Sequence, residues 1–211
     1  MKKLFYIPIV HNSADLGSLG SQLSSEGARK YGDSLWKDHL EQVDKSWNNV
    51  EIEIFKQLKR TPFTKVKIYQ DGLPVVDEIG IKIVNDTAKN GSKNYLIIER
   101  LLARGAKLEL AEDKALLLKE YYLLADINNA ETPEKQMESF LTYQNMSQEL
   151  LNSRDVFIAN QINMTLQVGE WGIAFFGASH SIVDKINKDI KVVVIQMFKD
   201  SISLSLIKKQ Q

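Results

Sequence analysis

Trp171-Gly172-Ile173-Ala174-Phe175-Phe176-Gly177-Ala178-Ser179-His180 is the stretch from which the rest of the chain can be read. Ile173 to Phe176 are consecutive apolar residues bounded by Gly172 and Gly177, the pattern of a short buried strand. The chain then turns on small residues and delivers a histidine. Ser181 to Asn187 follows with helical spacing. His180 therefore stands where a strand ends, and open α/β sheets place their ligands at the carboxyl ends of strands. The structural alternative is a tight strand-to-helix turn carrying an incidental histidine.

Working outward, Lys191 to Phe198 is a β-branched final strand, and Ser201 to Ile207 alternates like an added edge strand. Upstream, Thr132-Pro133 starts a helix that runs to about Val168, with an interruption near Asn152-Ser153, and Gly169 ends it. Lys114 to Ile127 is a further helix, preceded by a strand from Ala106 to Ala111 that closes in Glu112-Asp113. Those two acids also suit the positive end of the helix they introduce. Helices are expected over Asn94–Arg104, stopped by Gly105, and over Val75–Lys89. Val66 to Tyr69 is a strand ending in the turn Gln70-Asp71-Gly72-Leu73-Pro74, where Asp71 could simply stabilise the turn. Leu35, Trp36, Leu40, Val43, Trp47, Val50, Ile54 and Leu58 mark a long helix from Ser34 to about Arg60, with His39 on its surface. Lys3 to Val10 is a first strand, and Pro8 implies either an edge position or the strand's end. Alternating strands and helices predict one α/β domain over residues 1–211: a layered fold with a largely parallel central sheet flanked by long helices.

The composition narrows the function classes. Twenty-seven basic residues balance twenty-seven acidic ones, and no basic stripe is interleaved with aromatics, so nucleic acid and anionic membrane are not expected partners. There is no cysteine, which removes thiolate catalysis and cysteine-ligated metals. The start, Met1-Lys2-Lys3 with Leu4 to Val10, reads as a buried strand rather than a signal peptide, and no run reaches membrane-spanning length; a cytoplasmic protein is the expectation.

Of the three histidines, two close apolar strands: His11 and His180. Aligned on these histidines, the two segments also share an aspartate four residues on, Asp15 and Asp184. Imidazole is the usual ligand for zinc-like ions and the usual base near neutral pH. His11, His180, Asp71 and Glu112 are therefore candidate ligands of a divalent ion such as Mn, Co or Zn, which tolerates mixed nitrogen and oxygen donors. An open coordination position would activate water. His11, His180, Arg154 and Glu112 are the candidate catalytic residues, with Arg154 able to hold a substrate carboxylate, stabilise developing negative charge or clamp a ligand carboxylate bidentately. Asp15, Asp71, Ser179 and Asp113 are candidate substrate-binding residues. No contiguous metal, P-loop, serine-elbow or dinucleotide motif is present.

Arg154-Asp155, Ile158-Ala159, Ile162, Gly169-Glu170 and the closing Gly177-Ala178-Ser179-His180 resemble the TraB/GumN–Tiki superfamily, which is related to erythromycin-esterase-like and ChaN-like proteins. Gly177-Ala178-Ser179-His180 matches that group's closing Gly-x-x-His, and Arg154 matches its arginine. Asp155 stands where Asn is usual. Pro8-Ile9-Val10-His11 keeps the histidine of the N-terminal motif with proline in the glycine's place. The resemblance covers roughly the last quarter of the chain and, more loosely, its first strand. It implies an α/β fold with a cavity at the strand ends, and metal-dependent, peptidase-like hydrolysis in some members or ligand binding in others.

Two functions are thus expected. The first is a metal-dependent, peptidase-like hydrolase acting on a small-molecule or peptide ligand. The second is a non-catalytic small-molecule-binding or signalling domain on the same scaffold. A homo-oligomer assembled through the long helices Ser34–Arg60 or Thr132–Val168 is a third expectation, to be tested by an exposed apolar patch on either helix.

Overall fold

A computed structural model describes residues 1–9, 29 and 32–197. His11, Asp15 and the edge strand expected over Ser201–Ile207 lie outside these residues.

Among the described residues five parallel strands form one sheet: β1 (Lys2–Ile9), β2 (Val66–Gln70), β3 (Lys107–Glu109), β4 (Trp171–Gly177) and β5 (Ile190–Val194), in the spatial order β3-β2-β4-β1-β5. The apolar run after Trp171 is central β4, whose residues from Gly172 to Gly177 are all buried. A parallel strand covered on both faces has no reason to alternate, which is why it reads as a continuous apolar run.

The helices are α1 (Asp33–Gln57), α2 (Glu78–Lys89), α3 (Lys93–Leu102), α4 (Lys114–Asn128) and α5 (Pro133–Thr165). One face of the sheet packs Phe5, Ile7, Ile68 and Phe175 against Trp47 and Ile54 of α1, Val84 of α2 and Ile98 of α3. The other packs Leu4, Tyr6, Ala174 and Phe176 against Ile158, Ala159 and Ile162 of α5. The result is a three-layer α/β/α sandwich, as the strand–helix alternation required.

Several boundaries differ from the sequence expectation. Helix α5 runs unbroken through Asn152-Ser153, because its buried face continues from Leu150 through Arg154 and Ile158 to Ile162; the Ser153 hydroxyl donates to the Glu149 carbonyl one turn back. Helix α2 starts at Glu78 rather than Val75. Asp77 caps it, accepting from the backbone N–H of Ile79 and Gly80. The segment after His180 is a single 3-10 turn, Val183–Lys185, held by burying Ile182 and Ile186. The final strand stops at Val194 rather than Phe198. Pro8 lies inside the sheet and not at its edge, but β5 pairs with β1 only as far as Tyr6. The missing N–H of Pro8 falls beyond that ladder, so no sheet hydrogen bond is lost.

Close packing at the sheet centre gives a first testable expectation. A Cβ on Gly172 would lie 2.7 Å from Leu4 Cδ1 and 3.2 Å from Tyr69 Cε2, both in fully buried side chains. Gly172→Ala is expected to destabilise by about 1–3 kcal/mol, read from the denaturant midpoint at unchanged slope. An unshifted midpoint would mean that the two layers repack freely around β4.

Candidate functional site

The strands end in polar groups that converge above the carboxyl edge of the sheet. Asp71 follows β2 directly, and its N–H continues the ladder to the Phe175 carbonyl at 2.9 Å. Glu112 lies three residues beyond β3, just before α4. His180 lies three residues beyond β4, in a turn closed by its own N–H to the Gly177 carbonyl at 3.0 Å. Asp71, Glu112 and His180 are all buried, and one donor atom from each lies within 4.8 Å of the others.

Helix α5 completes the cluster from above. Leu150, Arg154, Asp155, Ile158 and Ile162 share its inward face, so both charged side chains are carried into the protein. The Arg154 guanidinium donates to Asp71 Oδ1 at 2.7 Å, to Glu112 Oε1 at 2.6 Å and Oε2 at 3.2 Å, and to Glu120 Oε2 of α4 at 2.6 Å. Asp155 turns the other way, toward β4. It accepts from His180 Nδ1 at 2.6 Å and from the Ser181 backbone N–H at 2.9 Å. This bond fixes the imidazole so that Nε2 faces Asp71 Oδ2, 3.5 Å away. Asp71 Oδ2 also accepts from the Gly177 N–H at 2.8 Å, tying the ends of β2 and β4 together. The Tyr6 hydroxyl donates to the His180 carbonyl at 3.3 Å, and the Phe176 ring meets the imidazole edge-on.

Burial and charge set the protonation states. Burial raises the Glu112 carboxyl, and Asp71 beside it raises it further, against the lowering effect of Arg154; the net result is about 7. Burial lowers the His180 imidazole, but its bonds to Asp155 and Asp71 outweigh that and push it up to about 9. Arg154 is also penalised by burial, yet Glu112, Asp71 and Glu120 hold it firmly charged. Burial lifts the Tyr6 phenol to about 12, with Asp155 and Asp71 adding to the shift, which keeps it a neutral donor.

Among the described residues the cluster thus joins four acidic side chains, Asp71, Glu112, Glu120 and Asp155, to two basic ones, Arg154 and His180. A surplus of acid in a buried site calls for a proton or a bound cation. Imidazole Nε2 with two carboxylates suits a borderline divalent ion, and a carboxylate on the far imidazole nitrogen is the usual support of a ligating histidine. The residues present therefore fit a divalent metal held by Asp71, Glu112 and His180.

Other sequence candidates fall elsewhere. Asp113 caps α4, accepting from the N–H of Ala115 and Leu116, which gives it a structural task beside the cluster. Ser179 is exposed at the turn before His180, and Asp184 is exposed on the 3-10 turn. Two partners in the cluster were not among the sequence candidates. Asp155 carried a signal, its adjacency to Arg154 on a helix. Glu120 lies eight positions beyond Glu112 on the α4 face turned to α5, a relation that appears only once the two helices are paired.

Comparison of the chain with protein-family models, with curated proteins and with solved structures gave no match in any of the three. No helix among the described residues is long and apolar enough to cross a membrane.

Proposed function

We propose that this chain is a hydrolase, metal-dependent and peptidase-like, whose reaction centre is the Asp71–Glu112–His180 cluster, in keeping with its resemblance to the TraB/GumN–Tiki superfamily. The observation that carries this reading is the convergence of those three buried side chains at the carboxyl edge of the sheet, with Asp155 behind the histidine. A divalent ion held there supplies water of lowered pKa and polarises a carbonyl oxygen. The chain's own groups supply the rest. Asp155 locks the His180 ring, so Nε2 keeps its direction. Glu112, buried beside Asp71 at the strand edge, is the carboxylate placed to exchange a proton between water and a leaving group. Arg154 keeps one edge of the cluster positive and stabilises negative charge developing beside it.

The test is direct. Full-length chain stripped with chelator and titrated with zinc, manganese or cobalt should take up one ion. Glu112→Gln and His180→Gln should weaken uptake by about 10–100-fold or more. Metal-restored chain should hydrolyse members of an ester and peptide panel, and chelated chain should not. Absence of uptake by the wild type would remove the metal. Uptake without turnover across the panel would remove the hydrolase.

One observation favours the second reading, a non-catalytic ligand-binding or signalling domain. Arg154 already bridges Asp71 and Glu112, so the chain carries its own cation in the cluster. On that reading a small ligand would bind without turnover, and binding would survive chelation.

A further inference from the structure

We propose that Arg154 is a built-in competitor of the divalent ion: its guanidinium holds the carboxylates that the ion would use, and it withdraws onto Glu120 when the ion enters. The inference rests on the metal reading of the Asp71–Glu112–His180 cluster and adds how that site is loaded.

The carboxylate oxygens are already engaged. Asp71 Oδ1 accepts from Arg154 Nη2 at 2.7 Å, Glu112 Oε1 from the same Nη2 at 2.6 Å, and Glu112 Oε2 from Arg154 Nε at 3.2 Å. Asp71 Oδ2 accepts from the Gly177 N–H at 2.8 Å. Nη2 thus bridges a carboxylate at the end of β2 to one beyond the end of β3, which is the position of a shared cation. A metal bonds a carboxylate oxygen at about 2.0–2.2 Å. An ion joined to both acids on their facing sides would fall within the space of Nη2. Charge leads the same way. A dication and a guanidinium on one pair of buried carboxylates repel each other with little solvent between them. The His180 ring is held by Asp155 instead, with Nε2 turned toward Asp71. The nitrogen donor is therefore set while the oxygen donors are engaged.

The guanidinium has a second place to rest. Its Nη1 donates to Glu120 Oε2 at 2.6 Å. The Glu120 side chain is 26% exposed, whereas those of Asp71 and Glu112 are almost wholly buried. By swinging outward, Arg154 gives up its three inner bonds, keeps the outer one and stays paired, so no charge is stranded. Helix α4, which carries Glu120, has no buried residue and can follow this motion without disturbing the core. The ion's apparent affinity is then lowered by the fraction of time that Arg154 spends withdrawn. Removing Arg154 lifts that penalty, and neutralising Glu120 increases it.

The experiment titrates zinc into full-length wild type, Arg154→Met and Glu120→Gln by calorimetry. It also follows the wild-type Arg154 Nε–H signal by proton–nitrogen NMR, assigned with Arg154→Lys. Arg154→Met should bind zinc at least about tenfold tighter, as expected if Arg154 is withdrawn less than about a tenth of the time. Glu120→Gln should bind it about two- to fivefold more weakly, the scale of a partly exposed ion pair. Zinc should release the Nε–H from Glu112, so that it exchanges faster with water. A charge acting only through space would shift both affinities and leave that bond intact. Zinc binding to the wild type with an unchanged Nε–H signal overturns the competition and leaves the metal centre standing, as does Arg154→Met binding no tighter. Should Arg154→Met fail to fold, the signal and the Glu120→Gln titration decide alone. Uptake by neither wild type nor Arg154→Met removes the metal centre and this inference with it. Uptake by Arg154→Met alone would show the guanidinium winning outright.

Discussion

Arg154→Met should lower the free energy of unfolding by about 3–5 kcal/mol, the cost of removing one partner from a buried ion cluster. Arg154 is the only cation of the described residues that touches Asp71, Glu112 and Glu120 together, through four hydrogen bonds at 2.6–3.2 Å. Methionine fills much of the same volume but leaves the buried Asp71 and Glu112 carboxyls facing each other without the guanidinium between them. Burial already holds the Glu112 carboxyl at about 7, and loss of Arg154 removes the main influence lowering it. The variant should therefore bind an extra proton on folding. A surface comparison sets the scale. Arg100 pairs with Glu51 at 2.5 Å, but its side chain is 46% exposed, and Arg100→Met should cost less than about 1 kcal/mol. Guanidinium denaturation of the two variants at pH 7 checks this. Equal midpoints would show that Arg154 contributes no more than a surface ion pair. Adding Glu112→Gln to Arg154→Met should recover part of the loss, because it removes one of the stranded charges.

Why the site was partly legible follows from where each residue sits along its element. Asp71, Glu112 and His180 each follow an apolar strand within three residues, and in a parallel sheet that offset alone sends all three to one edge. Their meeting was implied once the strands were recognised. Asp155 and Glu120 are helical, and a helix displays charged residues on all sides. Asp155 points inward because of the rotation of α5 about its axis, set by the packing of Ile158 and Ile162 on the sheet, and Glu120 meets Arg154 only through the pairing of α4 with α5. The errors in the elements have the same origin. Asn152-Ser153 looks like a helix break by local preference, yet α5 passes through because its buried face continues from Leu150 to Ile162. Pro8 pointed to an edge position or to the strand's end, and it stands one residue before the end of β1; the short reach of β5 along β1, which no local pattern encodes, leaves its missing N–H outside the ladder.

The metal-free chain should lose stability as pH rises from about 5 to about 9, the reverse of ordinary acid denaturation, by on the order of a few kcal/mol in all. The sign follows from two groups raised in the fold. Glu112 goes from its ordinary 4.5 to about 7, chiefly because burial disfavours the charged carboxylate. Between these values the folded chain holds a proton that the unfolded chain has released, so stability falls as pH rises and levels off above 7. His180 is pulled down by burial but raised further by Asp155 and Asp71, from 6.5 to about 9. Its contribution is fully present below 6.5 and is lost as pH climbs through 9. The two windows adjoin, so the decline should extend across both. Urea denaturation in chelator at half-unit pH steps measures it. Glu112→Gln should flatten the lower part of the curve and leave the upper part, while His180→Gln should do the opposite. A wild-type curve that is flat or rising between pH 5 and 9 would mean that surface groups govern the pH dependence. A decline that neither variant alters would place its source outside Glu112 and His180. Separate loss of the two limbs would show that the surplus of acidic side chains at the strand ends is met in the folded chain by protons, one on each of these two residues, at pH 6.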